Sequence, residues 1–225
     1  MAKLIFAGLF TEGTTDVRFL ESIIRKALED VAFGCQGQIE TEVKTIDIHK
    51  SGLGFVEQVL VASKKGIDDY GIMFLCVHTD SDADTDKRVM ESKIIPAIKN
   101  LNEQNESEYC KIVVSVIPVY MTEAWMLADK ELLKSEIGTS LSDFDLGIHQ
   151  MPESITDPKK AITNAIRIAQ SNLTKRKRNR GLEISDLYQI IGQKLELSQL
   201  GNLESYRKFI DSLKEAFRKL GLSSI

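Results

Sequence analysis

Residues 72–86 read IMFLCVHTDSDADTD: an apolar run from Ile72 to Val77 leads directly into aspartates at Asp80, Asp82, Asp84 and Asp86. The turn-type residues Asp68-Asp69-Tyr70-Gly71 bound the run on one side and the carboxylates bound it on the other, so Ile72 to His78 reads as a buried strand. The aspartates then emerge at that strand's carboxyl end, where ligands bind in open α/β sheets. Carboxylates crowded at one edge repel each other unless a cation sits between them. Hard oxygen donors of this kind suit magnesium, manganese or calcium. The stretch thus predicts an α/β fold with a divalent-cation site at one sheet edge.

Outward from it, the chain alternates strands and helices. Lys3 to Phe10 is almost continuously apolar and reads as a first buried strand, ending at Thr11-Glu12-Gly13-Thr14-Thr15-Asp16. Val17, Leu20, Ile23, Ile24, Ala27 and Leu28 then recur at helical spacing, with Thr14 or Thr15 as N-cap and Asp16 at the positive end of the helix. Glu42 to His49 alternates like a second strand, Ser51 to Gly54 forms a turn, and Phe55 to Lys65 reads as a helix. After the aspartates, Lys87 to Asn102 is helical in pattern, with Pro96 expected to kink or interrupt it. Lys111 to Tyr120 is the fourth strand, and Pro118 implies that its far end lies at a sheet edge or leaves the sheet.

This alternation predicts a four-stranded, mostly parallel, Rossmann-like sheet flanked by helices over residues 1–135, with right-handed crossovers. Beyond Tyr120 the strands stop. Thr122 to Leu133, a start at Asp157-Pro158, Ser185 to Leu195 and Glu204 to Leu220 read as helices, so residues 136–225 form a helical C-terminal region packed on the first part.

The 225 residues suffice for one well-buried core, and a formal net charge of −4 rules out a global basic field. Base is local, at Lys175-Arg176-Lys177-Arg178-Asn179-Arg180. Cys35, Cys76 and Cys110 lack metal-type spacing, which suits a reduced, cytoplasmic chain. The first apolar run is too short to span a membrane, the acid at Glu12 and the lack of a small-residue cleavage pattern do not suit a signal peptide, and no Walker loop is present. His49, His78 and His149 lack metal-ligand spacing, and Trp125 reads as core.

Glu12 and the pair Asp80 and Asp82 end strands that neighbour each other in a doubly wound sheet. Read singly, Glu12 is a turn residue and the aspartates a solvated loop. Read together they crowd acid at one partly buried edge, which favours a cation. Glu123 follows the fourth strand and either joins this edge or complements a helix dipole. Lys159 and Lys160 sit just inside a helix N-terminus, the wrong end for cations unless a phosphate binds there. The run from Lys175 to Arg180 is either a solvated loop or a nucleic-acid contact.

Glu12-Gly13-x-Thr15-Asp16 with Phe19-Leu20, followed by a strand ending in Asp80-x-Asp82, resembles the toprim domain of topoisomerases, bacterial primases and overcoming-lysogenization-defect nucleases. Glu123 to Asp129 (EAWMLAD), Pro152-Glu153, Asp157-Pro158-Lys159 and Leu195 to Phe209 extend the match and resemble the toprim-like domain-of-unknown-function family 4276. The resemblance implies Glu12 as general acid or base and Asp80 with Asp82 as the pair holding Mg²⁺ or Mn²⁺. Asp84 stands in reserve, since Asp82 with Asp84 is the other possible pair. It implies a nuclease acting on DNA or RNA, phage defence beside a co-encoded ATPase, and a homodimer as one permitted assembly. Two other readings stay open: a nucleic-acid-binding effector that a partner activates, and a phosphatase or phosphotransferase for small phosphorylated substrates.

Overall fold

The structure, a computed structural model, describes residues 3–171 and 181–222. Its centre is a sheet of four strands, β1 (Lys3–Phe10), β2 (Ile39–Thr45), β3 (Phe74–His78) and β4 (Val113–Val116), in the order β2-β1-β3-β4 with every pairing parallel. The helices are α1 (Thr14–Phe33), α2 (Phe55–Tyr70), α3 (Lys87–Val89), α4 (Ile95–Glu103), α5 (Glu123–Met126), α6 (Lys130–Ile137), α7 (Pro158–Ser171), α8 (Ile184–Lys194), α9 (Leu197–Leu200) and α10 (Glu204–Lys219). A π-helical turn, Met90–Ile94, joins α3 to α4, and a 3₁₀ turn spans Pro152–Ser154.

Strand alternation divides the core in two. Ile5, Ala7 and Leu9 of β1, Phe74 and Cys76 of β3, and Val114 and Val116 of β4 face α1 and the C-terminal helices. Phe10, Leu75 and Val77 face the other way, against Val59 and Ala62 of α2 and Ala97 and Leu101 of α4. Helices on both faces explain why β3 is buried at all five positions and carries no polar alternation.

The C-terminal helices share the first core. Trp125 donates its indole N–H to Ser205 Oγ at 2.7 Å and packs edge-on to Tyr206, and Phe217 packs on Phe74. The Glu153 carboxylate caps α10 by accepting the N–H groups of Glu204 and Ser205 at 2.8 and 2.9 Å. Ser212 of α10 accepts the Ser115 N–H from the outer edge of β4 at 3.2 Å, which blunts that edge.

Several boundaries differ from the sequence pattern. β2 begins at Ile39 and ends at Thr45, because β1 begins at Lys3 and the register pairs Lys3 with Ile39 and Leu9 with Thr45. Pro118 ends β4 early. Beyond it the chain still follows the aspartate loop: Ser81 N–H donates to Pro118 O at 3.2 Å, Asp82 N–H to Tyr120 O at 2.9 Å and Tyr120 N–H to Ala83 O at 3.0 Å. Asp82 and Tyr120 adopt left-handed φ values of 50° and 57° at this crossing. The pattern over Thr122 to Leu133 is split in two, since the Asp129 carboxylate caps α6 by accepting the Leu132 N–H at 2.9 Å. Ahead of Pro96 the helix stays unbroken but widens through the π turn. Among the described residues no helix is long and apolar enough to cross a membrane.

Candidate active site

In the order β2-β1-β3-β4, the chain leaves β1 toward β2 on one side and returns to β3 on the other. The switch point is therefore between the carboxyl ends of β1 and β3, the position at which open α/β sheets bind ligands. Glu12 lies two residues past β1 and Asp80 two residues past β3, so the sheet itself brings them to this point.

Glu12 is held from three directions. Its Oε1 accepts Lys93 Nζ at 2.7 Å and Thr79 Oγ1 at 2.9 Å, and Lys93 Nζ also donates to Thr79 Oγ1 at 2.8 Å. Lys50 Nζ reaches over from the loop after β2 and donates to the carbonyl oxygens of Thr11 and Glu12 at 2.6 and 2.8 Å. Thr79 is fully buried, so its hydroxyl is a fixed pivot. Lys93 rides on the π turn, a distortion that recurs at functional stretches of helices.

Asp80 is fixed through Oδ1, which accepts the Thr122 N–H at 2.9 Å and lies 3.3 Å from both Thr122 Oγ1 and His78 Nε2. His78 Nε2 in turn lies 2.9 Å from Thr122 Oγ1. The imidazole is buried, and its Nδ1 has no hydrogen-bond partner among the described residues; Asp16 Oδ2 is 3.9 Å away. Burial works against the imidazolium, but Asp80, Asp16 and Glu12 outweigh it and raise the His78 pKa. Burial, with Asp80 adding to it, lifts the Asp16 carboxyl above the usual range despite His78.

Glu123 opens α5 beside Thr122 and is almost fully buried. Tyr188 of α8 donates its hydroxyl to Glu123 Oε1, and Lys159 Nζ lies 3.8 Å from the same oxygen. Burial raises the Glu123 pKa, opposed by Tyr188 and Lys159 and supported by Asp80. Asp80, Asp16 and Glu123 thus form one acidic neighbourhood around His78, and Glu12 faces Lys93 beside it.

The other predicted residues are placed differently. Asp82 and Asp84 are exposed, and among the described residues neither side chain makes a hydrogen bond or ion pair. Asp86 pairs with Lys208 of α10 at 3.0 Å. Lys159 is brought to the acidic edge, whereas Lys160 is exposed and its N–H is taken by the Asp157 carboxylate at 2.8 Å, so Asp157 occupies part of the α7 N-terminus. Lys175, Arg176, Lys177, Arg178 and Arg180 lie outside the described residues.

Sequence reading missed Lys50, Lys93, Thr79, Thr122 and Tyr188, and took Asp16 as a helix-end charge and part of the toprim-like motif without a role at the site. Lys50 and Thr122 follow strand carboxyl ends, a signal that marks them; Lys93 and Tyr188 sit within helices and carry none.

No match was found. Protein-family models, curated protein sequences and solved structures all lack a counterpart at a level that carries information about this chain.

The donor set is chemically apt for Mg²⁺ or Mn²⁺, since every acidic group at the edge offers carboxylate oxygen and Asp80 has one oxygen without a hydrogen bond among the described residues. Among those residues no three histidine, cysteine or carboxylate side chains converge closely enough to hold a metal as they stand.

Proposed function

We propose that this chain is a toprim-like, Mg²⁺-dependent nuclease that hydrolyses phosphodiester bonds of DNA or RNA. The observation that carries the proposal is the meeting of Glu12 and Asp80 at the switch point of the sheet, each fixed by a buried threonine. Asp80 would hold the cation with Asp82, Asp82 with Asp84 being the other possible pair, and Glu123, whose carboxyl feels the charge of Asp80, is the further candidate ligand. When bound, the cation would neutralise charge developing on the phosphate oxygens.

The chain's own residues supply the rest. Glu12 moves a proton at the attacking or leaving oxygen, oriented by Thr79. Thr122 and His78 hold Asp80 in one rotamer, so its uncommitted oxygen points consistently. Lys159 stands at the rim of the acidic edge, where its ammonium can meet a phosphate oxygen. The basic run from Lys175 to Arg180 contacts the nucleic-acid backbone, in keeping with a net-acidic protein that needs local base to approach a polyanion. The same resemblance makes a co-encoded ATPase the proposed companion.

The test is cleavage of single- and double-stranded DNA and RNA with Mg²⁺ or Mn²⁺, comparing the native chain with Glu12→Gln and Asp80→Asn. Cation-dependent cleavage lost in both variants supports the mechanism. Activity surviving both substitutions would falsify it.

A further inference from the structure

We propose that Lys93 is the exchangeable counter-ion of Glu12: it positions the carboxylate in the cation-free protein and is displaced when a divalent cation arrives. This inference rests on reading the β1–β3 switch point as a cation-dependent site.

Lys93, Glu12 and Thr79 form a closed triangle of contacts at 2.7, 2.8 and 2.9 Å. An exposed lysine–glutamate pair ordinarily gains little, because two long side chains must be held in one geometry. Here the geometry is held by other means. Thr79 is fully buried, the Lys93 ammonium lies 5.1 Å from the centre of the Phe55 ring, and the π turn sets the height of the lysine on its helix. The lysine is therefore built into the site.

A dication bound through Glu12 Oε1 would lie within a few ångströms of that ammonium, and two cations at such a distance repel strongly in a partly buried setting. Lys93 and the dication thus compete for Glu12 Oε1. Cation binding through that oxygen displaces Lys93, and the freed ammonium is left at the same edge, where an anionic substrate would approach the cation. Lys50 is the natural contrast. It carries the same charge nearby but donates to the main-chain carbonyls of Thr11 and Glu12, not to the carboxylate.

The test is Mn²⁺ titration of the full chain without nucleic acid, with free Mn²⁺ followed by electron paramagnetic resonance. Lys93→Met should bind Mn²⁺ about tenfold tighter than the native chain. Lys93→Arg, which keeps the charge, should stay near native affinity and keeps the test open should the methionine variant fold poorly. Glu12→Gln combined with Lys93→Met should lose the gain. Unchanged or weaker binding by Lys93→Met overturns the proposal and leaves the cation site standing. An equal gain in Lys50→Met overturns it too, because a general loss of positive charge then explains the effect. Absence of Mn²⁺ binding in every variant sinks the cation-site reading itself.

Discussion

Gly192 is the point at which α8 presses on α1, and replacing it with alanine should destabilise the fold by about 2 kcal/mol. A Cβ at this position would lie 2.6 Å from Phe19 O and 3.1 Å from Phe19 Cα. Both are backbone atoms of a long helix, so neither can turn aside as a side-chain tip would. Ordinary contact begins near 3.4 Å, so the helices must part by 3.4 − 2.6 = 0.8 Å. A gap of that size forfeits roughly a quarter to a half of each dispersion contact across the seam. Because the clashing atoms are backbone, the overpacking cost falls at the upper end of its usual range, about 3 kcal/mol. Alanine returns about 1 kcal/mol through better helix propensity. The cost exceeds the gain by about 2 kcal/mol, so the sign is destabilising. With an m-value of about 2 kcal/mol/M, the urea midpoint should fall by roughly 1 M. The effect also reaches the site. Tyr188 lies one turn before Gly192 on the same face of α8 and donates to Glu123, while Lys26 of α1 grips the α8 terminus through Gly192 O, Gln193 O and Leu195 O at 3.1, 2.7 and 2.8 Å. A urea midpoint that is unchanged or raised in Gly192→Ala would refute the close crossing and the continuity of the C-terminal helices with the sheet core.

Other outcomes follow from the same contacts. Asp16 and Glu123 keep their protons to higher pH when folded than when unfolded, burial being the main cause in each. Their contribution is therefore fully present below the ordinary carboxylate value of about 4 and is lost as pH rises through the elevated folded values. In cation-free buffer, Glu123→Gln should flatten this fall, and an unaltered stability–pH slope would count against a buried Glu123. Burial pushes the Cys110 thiol up to about 12 and raises that of Cys76 further, whereas Cys35 is only half-buried. A thiol reagent should label Cys35 alone in the native chain and all three cysteines in denaturant, and rapid native labelling at Cys76 would contradict the core. Trp125→Phe removes the donor to Ser205 in a buried setting and should cost about 1–3 kcal/mol by thermal or urea melts followed by circular dichroism. A change under about 0.5 kcal/mol would show that this hydrogen bond is not made.

The architecture was legible because both faces of the sheet are covered. That coverage turns β1 and β3 into unbroken apolar runs, and the residues directly after each run must then surface at one edge. Glu12 and Asp80 could be paired for that reason before any coordinates. β2 was legible only in part. It is an edge strand whose alternation is set by what it lacks on its outer side, and its ends follow the register with β1 rather than its own sequence.

The different settings of the aspartates depend on a feature no spacing encodes. The chain after Pro118 runs on alongside residues 81–83, takes left-handed backbone at Asp82 and Tyr120, and Asp80 turns inward to Thr122 while Asp82 and Asp84 stay in solvent. Lys93 lies further still from what a sequence can reveal. A lysine on a helix is by default a solvated charge, and only a widened turn brings this one to Glu12, a residue 81 positions earlier. Acid at a strand end announces itself because its placement has a cost wherever it occurs. The base that answers it can come from any element long enough to reach, so the carboxylate half of such a site is readable locally and the cationic half only in three dimensions.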